Sequence, residues 1–190
     1  MTTKGAGAFG GLESGVSGAI RHAGGSAKAV VDSVAEVLAG VLRASGQAEA
    51  ALFDEASSLA DSAVRGAVKA GGDLESVARG FLLGALRGSR LTGESALQAA
   101  AEAAGAFVKR VHAAGGDAAG AARGLVEGAL VWAGEVGEDA ARAAVAVGQS
   151  AVDAAYDAGA KTGGEVRDAL KVEIAGITIA PKEPARAHRK

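Results

Sequence analysis

From Asp73 to Leu86 the apolar residues fall at Leu74, Val77, Ala78, Phe81, Leu82, Ala85 and Leu86, the i, i+3, i+4, i+7 spacing that lays a stripe along one face of an α-helix. Val30, Val31, Val34, Leu38, Val41 and Leu42 repeat the pattern upstream. Two longer segments carry thinner, alanine-dominated stripes: Leu97, Ala100, Ala101, Ala104, Phe107, Val108 and Val111 in one, and Ala141, Ala144, Val145, Ala151 and Val152 in the other. Only the end of the chain differs in kind. From Val172 it reads VEIAGITIA, with β-branched Ile174, Ile177 and Ile179 around Gly176, followed by Pro181, Pro184 and the basic Arg186, His188, Arg189 and Lys190. That pattern predicts a strand-like tail over 172–180, either pairing with a second copy of the chain or loosely held, and a solvated basic end.

The helical segments are copies of one unit. Residues 71–86 read GGDLESVARGFLLGAL and residues 115–130 read GGDAAGAARGLVEGAL, a period of 44. Val64, Val108 and Val152 fall one period apart, as do Arg79, Arg123 and Arg167. An earlier copy opens at Gly24-Gly25-Ser26, 47 residues before Gly71, and a truncated copy closes the series near Gly163 to Lys171. Asp73 and Asp117 follow paired glycines and open helical segments, the place of an N-cap whose carboxylate accepts free first-turn N–H groups. Lys69, Arg110 and His112 lie just before those glycines, where a cation suits the negative end of a helix.

Each unit therefore reads as two helices. The connections within units are placed at Arg87-Gly-Ser-Arg-Leu-Thr-Gly93 and at Trp132-Ala-Gly-Glu-Val-Gly137. The expected fold is all-α: seven or eight helices in antiparallel hairpins, wrapped into a bundle or stacked as a short α-solenoid. The organisation expected is a disordered 1–9, a helical-repeat domain over 10–171 with units near 24–70, 71–114, 115–158 and a partial 159–171, and the segment 172–190.

Composition narrows the chemistry. Hydrophobic residues make up 49 % of the 190, but aromatics only 3 %, so burial rests on alanine methyls worth about 0.8 kcal/mol each and demands closely packed helices rather than a deep pocket. The net charge of −2, with both signs interspersed, argues against nucleic acid as a partner. With no cysteine there is no thiol chemistry. The start, MTTKGAGAFG, lacks the apolar core of a secretion signal, and a cytoplasmic location is expected. Mean hydropathy is +0.21, yet the greasiest stretch, Leu125 to Val136, holds Glu127 and Glu135, so no transmembrane helix is predicted.

The remaining motifs read as architecture. Gly80/Gly84 and Gly124/Gly128 form GxxxG pairs suited to close helix approach. The Gly-Gly-Asp turns resemble anion-cradling loops only superficially, since neither a Walker nor a dinucleotide pattern is present and Asp73 and Asp117 occupy the anion's place. Arg79, Arg123 and Arg167 form a periodic row for which Glu75 and Glu127, four residues from Arg79 and Arg123, predict intrahelical ion pairs. His22 and His112 lack the spacing of metal ligands. The sequence thus predicts no catalytic residue, cofactor or metal.

The pattern GGDxxxxARGxxxGAL followed by AGEVGEDAARAA resembles a family of uncharacterised bacterial Ala/Gly-rich helical-repeat proteins over roughly residues 60–170, which implies a repeat fold and no particular activity. A weaker likeness is to phasins and late-embryogenesis-abundant proteins, Ala-rich amphipathic chains that coat granules or protect membranes; the period of 44 is four times the 11-residue repeat of a straight apolar stripe. The expectation is a non-enzymatic structural or protein-interaction module that self-associates, the alternative an amphipathic binder of lipid or polymer-granule surfaces.

Overall fold

A computed structural model describes residues 11–23, 26–44 and 56–184. The glycine pair at 24–25, the expected disordered 1–9 and the basic end from 185 lie outside the described residues. Within them are eight helices: α1 Leu12–His22, α2 Ala27–Ala44, α3 Ala56–Ala70, α4 Leu74–Ser89, α5 Gly93–Ala113, α6 Ala118–Val136, α7 Ala140–Ala158 and α8 Ala160–Ala169. Among the described residues no helix is long and apolar enough to cross a membrane. The all-α expectation holds.

The Gly-Gly-Asp turns are built as their residue types require. Gly71 (φ 65°) and Gly115 (φ 70°) sit in the left-handed region that ends a helix. Gly71 N and Gly72 N donate to the carbonyls of Val68 and Ala67, and Gly115 N and Gly116 N to those of His112 and Val111, so both turns close a Schellman motif. Asp73 then accepts from the N–H groups of Glu75 and Ser76, and Asp117 from Gly120, as N-caps. The helix-turn reading is the one realised.

The helices form a bundle laid out in two rows, in the manner of a short α-solenoid. The first helices of the units, α2, α4 and α6, stack in one row; α1, α3, α5 and α7 stack in the other. The stack runs parallel within a row: a Cβ at Gly80, Gly84 or Gly88 of α4 would meet the Val31 carbonyl oxygen (2.7 Å), the Ala35 carbonyl oxygen (2.5 Å) or the Ala39 Cα (2.8 Å) of α2 in ascending order. One period on, Gly124 and Gly128 of α6 face the backbone of Glu75 and Arg79. Glycine stripes therefore do what the GxxxG reading predicts, and each lets a neighbouring helix come to backbone contact.

This contact register keeps the 44-residue period even in the first unit, where the turn spacing is 47. Val31 plays in α2 the part of Glu75 in α4, but lies four residues inside its helix instead of one. The three extra residues are thus one more turn at the start of α2. Between the rows, Phe81 and Phe107 pack ring to ring with centroids 4.8 Å apart, and Trp132 is buried in the same continuous apolar core.

Two expectations need correction. Trp132 to Val136 is the last turn of α6, not a connection, because buried Trp132 and Ala133 hold it against the core and the chain leaves the helix only at left-handed Gly137 (φ 75°). In α7 the buried stripe runs through Ala143, Ala144, Val147, Ala151 and Val152, while Ala141 and Val145 are exposed. By the period, Val145 stands where Ala101 stands in α5; Ala101 is half-buried against α7, whose Ser150 donates to its carbonyl, but among the described residues no further second-row helix follows α7.

The segment after α8 folds back instead. Ile174 and Ile177 exchange two backbone hydrogen bonds across a tight turn whose central residues, Ala175 (φ 48°) and Gly176 (φ 84°), are both left-handed. The tail then lies along α7 with Ile174 and Ile179 buried.

Candidate functional site

The richest gathering of ionisable side chains lies on the outer face of the first row. Helical spacing puts Glu75, Arg79 and Arg87 of α4 on the side turned to α6, and Glu127 and Glu135 of α6 on the side turned back. Because the glycine stripes seat the two helices almost in backbone contact, these side chains meet across the seam. Arg79 reaches Glu127 at 3.1 Å, Arg123 reaches Glu75 at 3.7 Å, and Arg87 forks onto both oxygens of Glu135, its Nε donating at 2.9 Å. All three pairs span 48 residues, one period plus one helical turn.

This corrects the predicted intrahelical pairs. Glu75 and Arg79, like Arg123 and Glu127, have the right spacing to bond within their own helices, but each finds its partner in the neighbouring one. The second row repeats the device: Glu94 with Arg142 at 2.7 Å and Lys109 with Asp157 at 3.0 Å span the same 48 residues between α5 and α7.

The third arginine of the period, Arg167, cannot copy Arg123, because the residue 48 before it is Ala119. It pairs instead with Glu183 of the tail at 2.7 Å and with neighbouring Asp168. The arginine row thus exists, but its charges are neutralised one by one.

Along the first-row seam runs an open groove of about 790 Å³, reached by Lys28 and Asp32 from α2, Asp73, Ser76 and Arg79 from α4, and Glu127 from α6. Two carboxyls here are displaced in opposite directions. Burial acts against the Asp73 carboxylate, but hydrogen bonds from the Ser76 hydroxyl and from the backbone N–H groups of Ser76 and Glu75 outweigh it and hold its pKa below the ordinary range. Burial pushes Glu75 up, opposed by Arg123 and reinforced by the charges of Glu127, Asp73 and Asp117. A capping acid and a crowded acid account for both shifts, and each carboxyl is already committed to a helix terminus or an arginine.

Both histidines among the described residues do comparable work. His22 Nδ1 lies 2.7 Å from the Gly18 carbonyl oxygen of its own helix, and His112 Nδ1 lies 3.1 Å from the Thr162 hydroxyl, tying the end of α5 to α8.

A second groove, of about 730 Å³, lies between the tail and α7 and is lined by Val145, Gln149, Asp153 and Asp157 on one side and by Ile179, Pro181, Lys182 and Pro184 on the other. Its defining contact is the Gln149 amide, which donates to the Lys182 carbonyl at 2.9 Å and accepts from the Lys182 N–H at 2.8 Å. Sequence reasoning passed over Gln149. The signal was there: the period puts it opposite Gly105, a glycine against which Ser150 of α7 is packed, and a long amide in that place cannot receive a helix in the same way.

No family model, no curated protein and no solved structure matches this chain, so its role is argued from its own residues.

Proposed function

We infer that this chain is a non-enzymatic structural or protein-interaction module built from stacked helical repeats. The observation that carries this reading is the inter-repeat packing. Glycine and alanine stripes are spent on one another, and the ionisable residues that would otherwise serve chemistry are engaged in helix caps and in 48-residue cross-repeat pairs. A chain coating lipid or polymer granules would instead keep its apolar faces for that surface, and here those faces form the core.

The test is helicity and partition together. The full chain should show its helical circular dichroism in buffer and remain in the supernatant when spun with anionic liposomes or hydrophobic polymer granules. Helicity that develops only on vesicles would replace this reading by the surface-binding one, and turnover of a small molecule by the purified chain would end it.

A further inference from the structure

We propose that the tail segment 177–184 exchanges between two copies of this chain, each copy's segment filling the other's seat on α7. The inference rests on the reading of the chain as an interaction module and names its partner as a second copy.

The seat is defined by the repeat. The face of α5 bearing Ala101, Gly105 and Lys109 receives α7: Ser150 Oγ donates to the Ala101 carbonyl at 2.5 Å and Lys109 pairs with Asp157. The equivalent face of α7 bears Val145, Gln149 and Asp153, and what it receives is an extended segment. Gln149 grips both backbone groups of Lys182, Ile179 fills the hollow over Gly148, where its Cδ1 lies 2.8 Å from the place of a Cβ, and Arg167 pairs with Glu183. These contacts read a backbone amide pair, a branched apolar side chain before it and a carboxylate after it. The identical segment of a second copy satisfies each of them equally well.

The geometry of the connection favours exchange. The tail returns to its own α7 only through the two-residue turn at Ala175-Gly176, and Ala175 is held there at φ 48°, a region that an alanine side chain disfavours. A short strained hinge closing an otherwise portable segment is the arrangement that invites swapping, because opening it relieves the strain while every contact of the segment is recovered in the partner.

Light scattering on the full chain over a wide concentration range tests this. Ala175→Pro cannot adopt the positive φ and should raise the dimer fraction several-fold; Ala175→Gly relaxes the closed turn and should lower it below the parent's. In the Ala175→Pro background, chains carrying Arg167→Glu and chains carrying Glu183→Arg each set like charges at the seat. Both opposite-charge pairs return only when the two are mixed and swapped, so dimers should form several-fold more readily in the mixture than in either alone. Exchange is overturned if the Ala175 variants, helical by circular dichroism, do not differ in mass, or if the mixture dimerises no better than its components. Should Ala175→Pro fail to fold, Ala175→Gly against the parent decides. Such a failure leaves the module reading standing, since that reading falls on turnover or on vesicle-dependent folding instead.

Discussion

The two rows of helices share one period but are held together differently. In the first row, α4 presents three glycines to α2 and α6 two to α4, and backbone meets backbone. In the second row glycine is sparing: Gly66 of α3 faces the Glu13 carbonyl and Val16 of α1, Gly105 of α5 faces Ser150 of α7, and the buried faces are otherwise alanine interspersed with leucine, valine and phenylalanine. The comparison teaches where the repeat is intolerant. A first-row seam set at backbone distance has no room for one more methyl, whereas a seam built mostly of residues with a Cβ already accommodates one.

The largest expected effect follows from this. A Cβ at Gly124 would overlap the Glu75 carbonyl oxygen, and neither partner can rotate away because both are helix backbone. Gly124→Ala should therefore destabilise by about 3 kcal/mol, at the upper end of overpacking losses, despite the better helix propensity of alanine. Gly134→Ala is the matched control: it lies in the same helix, exposed and with nothing within 4 Å of its Cβ, and should stabilise by about 0.5–1 kcal/mol. Thermal melts of the two variants with equal or same-signed shifts would contradict the backbone-distance account of the seam.

The caps come next. Asp117→Ala should cost about 1 kcal/mol by leaving first-turn N–H groups without an acceptor, and Asp73→Ala the same, whereas Thr92, an N-cap residue making no side-chain hydrogen bond, should tolerate alanine with little change. Asp73 adds a pH signature. Its folded pKa is depressed, so its contribution is present above its ordinary value of 3.8 and disappears as pH falls through the folded one. Parent and Asp73→Ala should therefore converge in stability under strongly acidic conditions; a gap that persists there would mean that the side chain acts by packing.

The cross-repeat ion pairs are smaller still. Most of these side chains are partly exposed, so Arg87→Ala, which removes a forked pair with Glu135, should cost about 0.2–1 kcal/mol, and salt should shrink the difference. A loss several times larger, insensitive to salt, would show that the ladder rather than the glycine seam sets the register.

What the sequence made legible, and what it left hidden, follows the same division. Period, Gly-Gly-Asp turns and glycine contacts could be read because each depends on a residue type at a local position: a left-handed glycine, a capping aspartate, a stripe at helical spacing. The choice of ion-pair partner could not, since Glu75 lies four residues from Arg79 in sequence and meets Arg123 only once two helices have settled into register. The exposure of Val145 was hidden for a related reason, because its stripe looks like that of α5 and differs only in that, among the described residues, no second-row helix follows α7. The fold-back of the tail was concealed by Ala175, a residue whose type gives no sign of a left-handed turn.

The smallest prediction concerns the one carboxyl that the first-row seam treats badly. Close approach of α4 and α6 partly buries Glu75 and brings Glu127 and Asp117 near it, in addition to Asp73 at the start of its own helix, and together these outweigh Arg123 and raise its pKa. The sign runs opposite to that of Asp73: the fold favours the protonated form, so the contribution of Glu75 is complete below its ordinary value of 4.5 and is lost as pH rises through the folded one. Near neutrality Glu75→Gln should therefore be as stable as the parent or more stable, by no more than about 0.5 kcal/mol given its exposure. Below 4.5 that advantage should vanish. A clear loss of stability near neutrality on removing this charge would mean that the pair with Arg123 outweighs the crowding, and that the ladder, rather than the glycine stripe beneath it, draws α4 and α6 together.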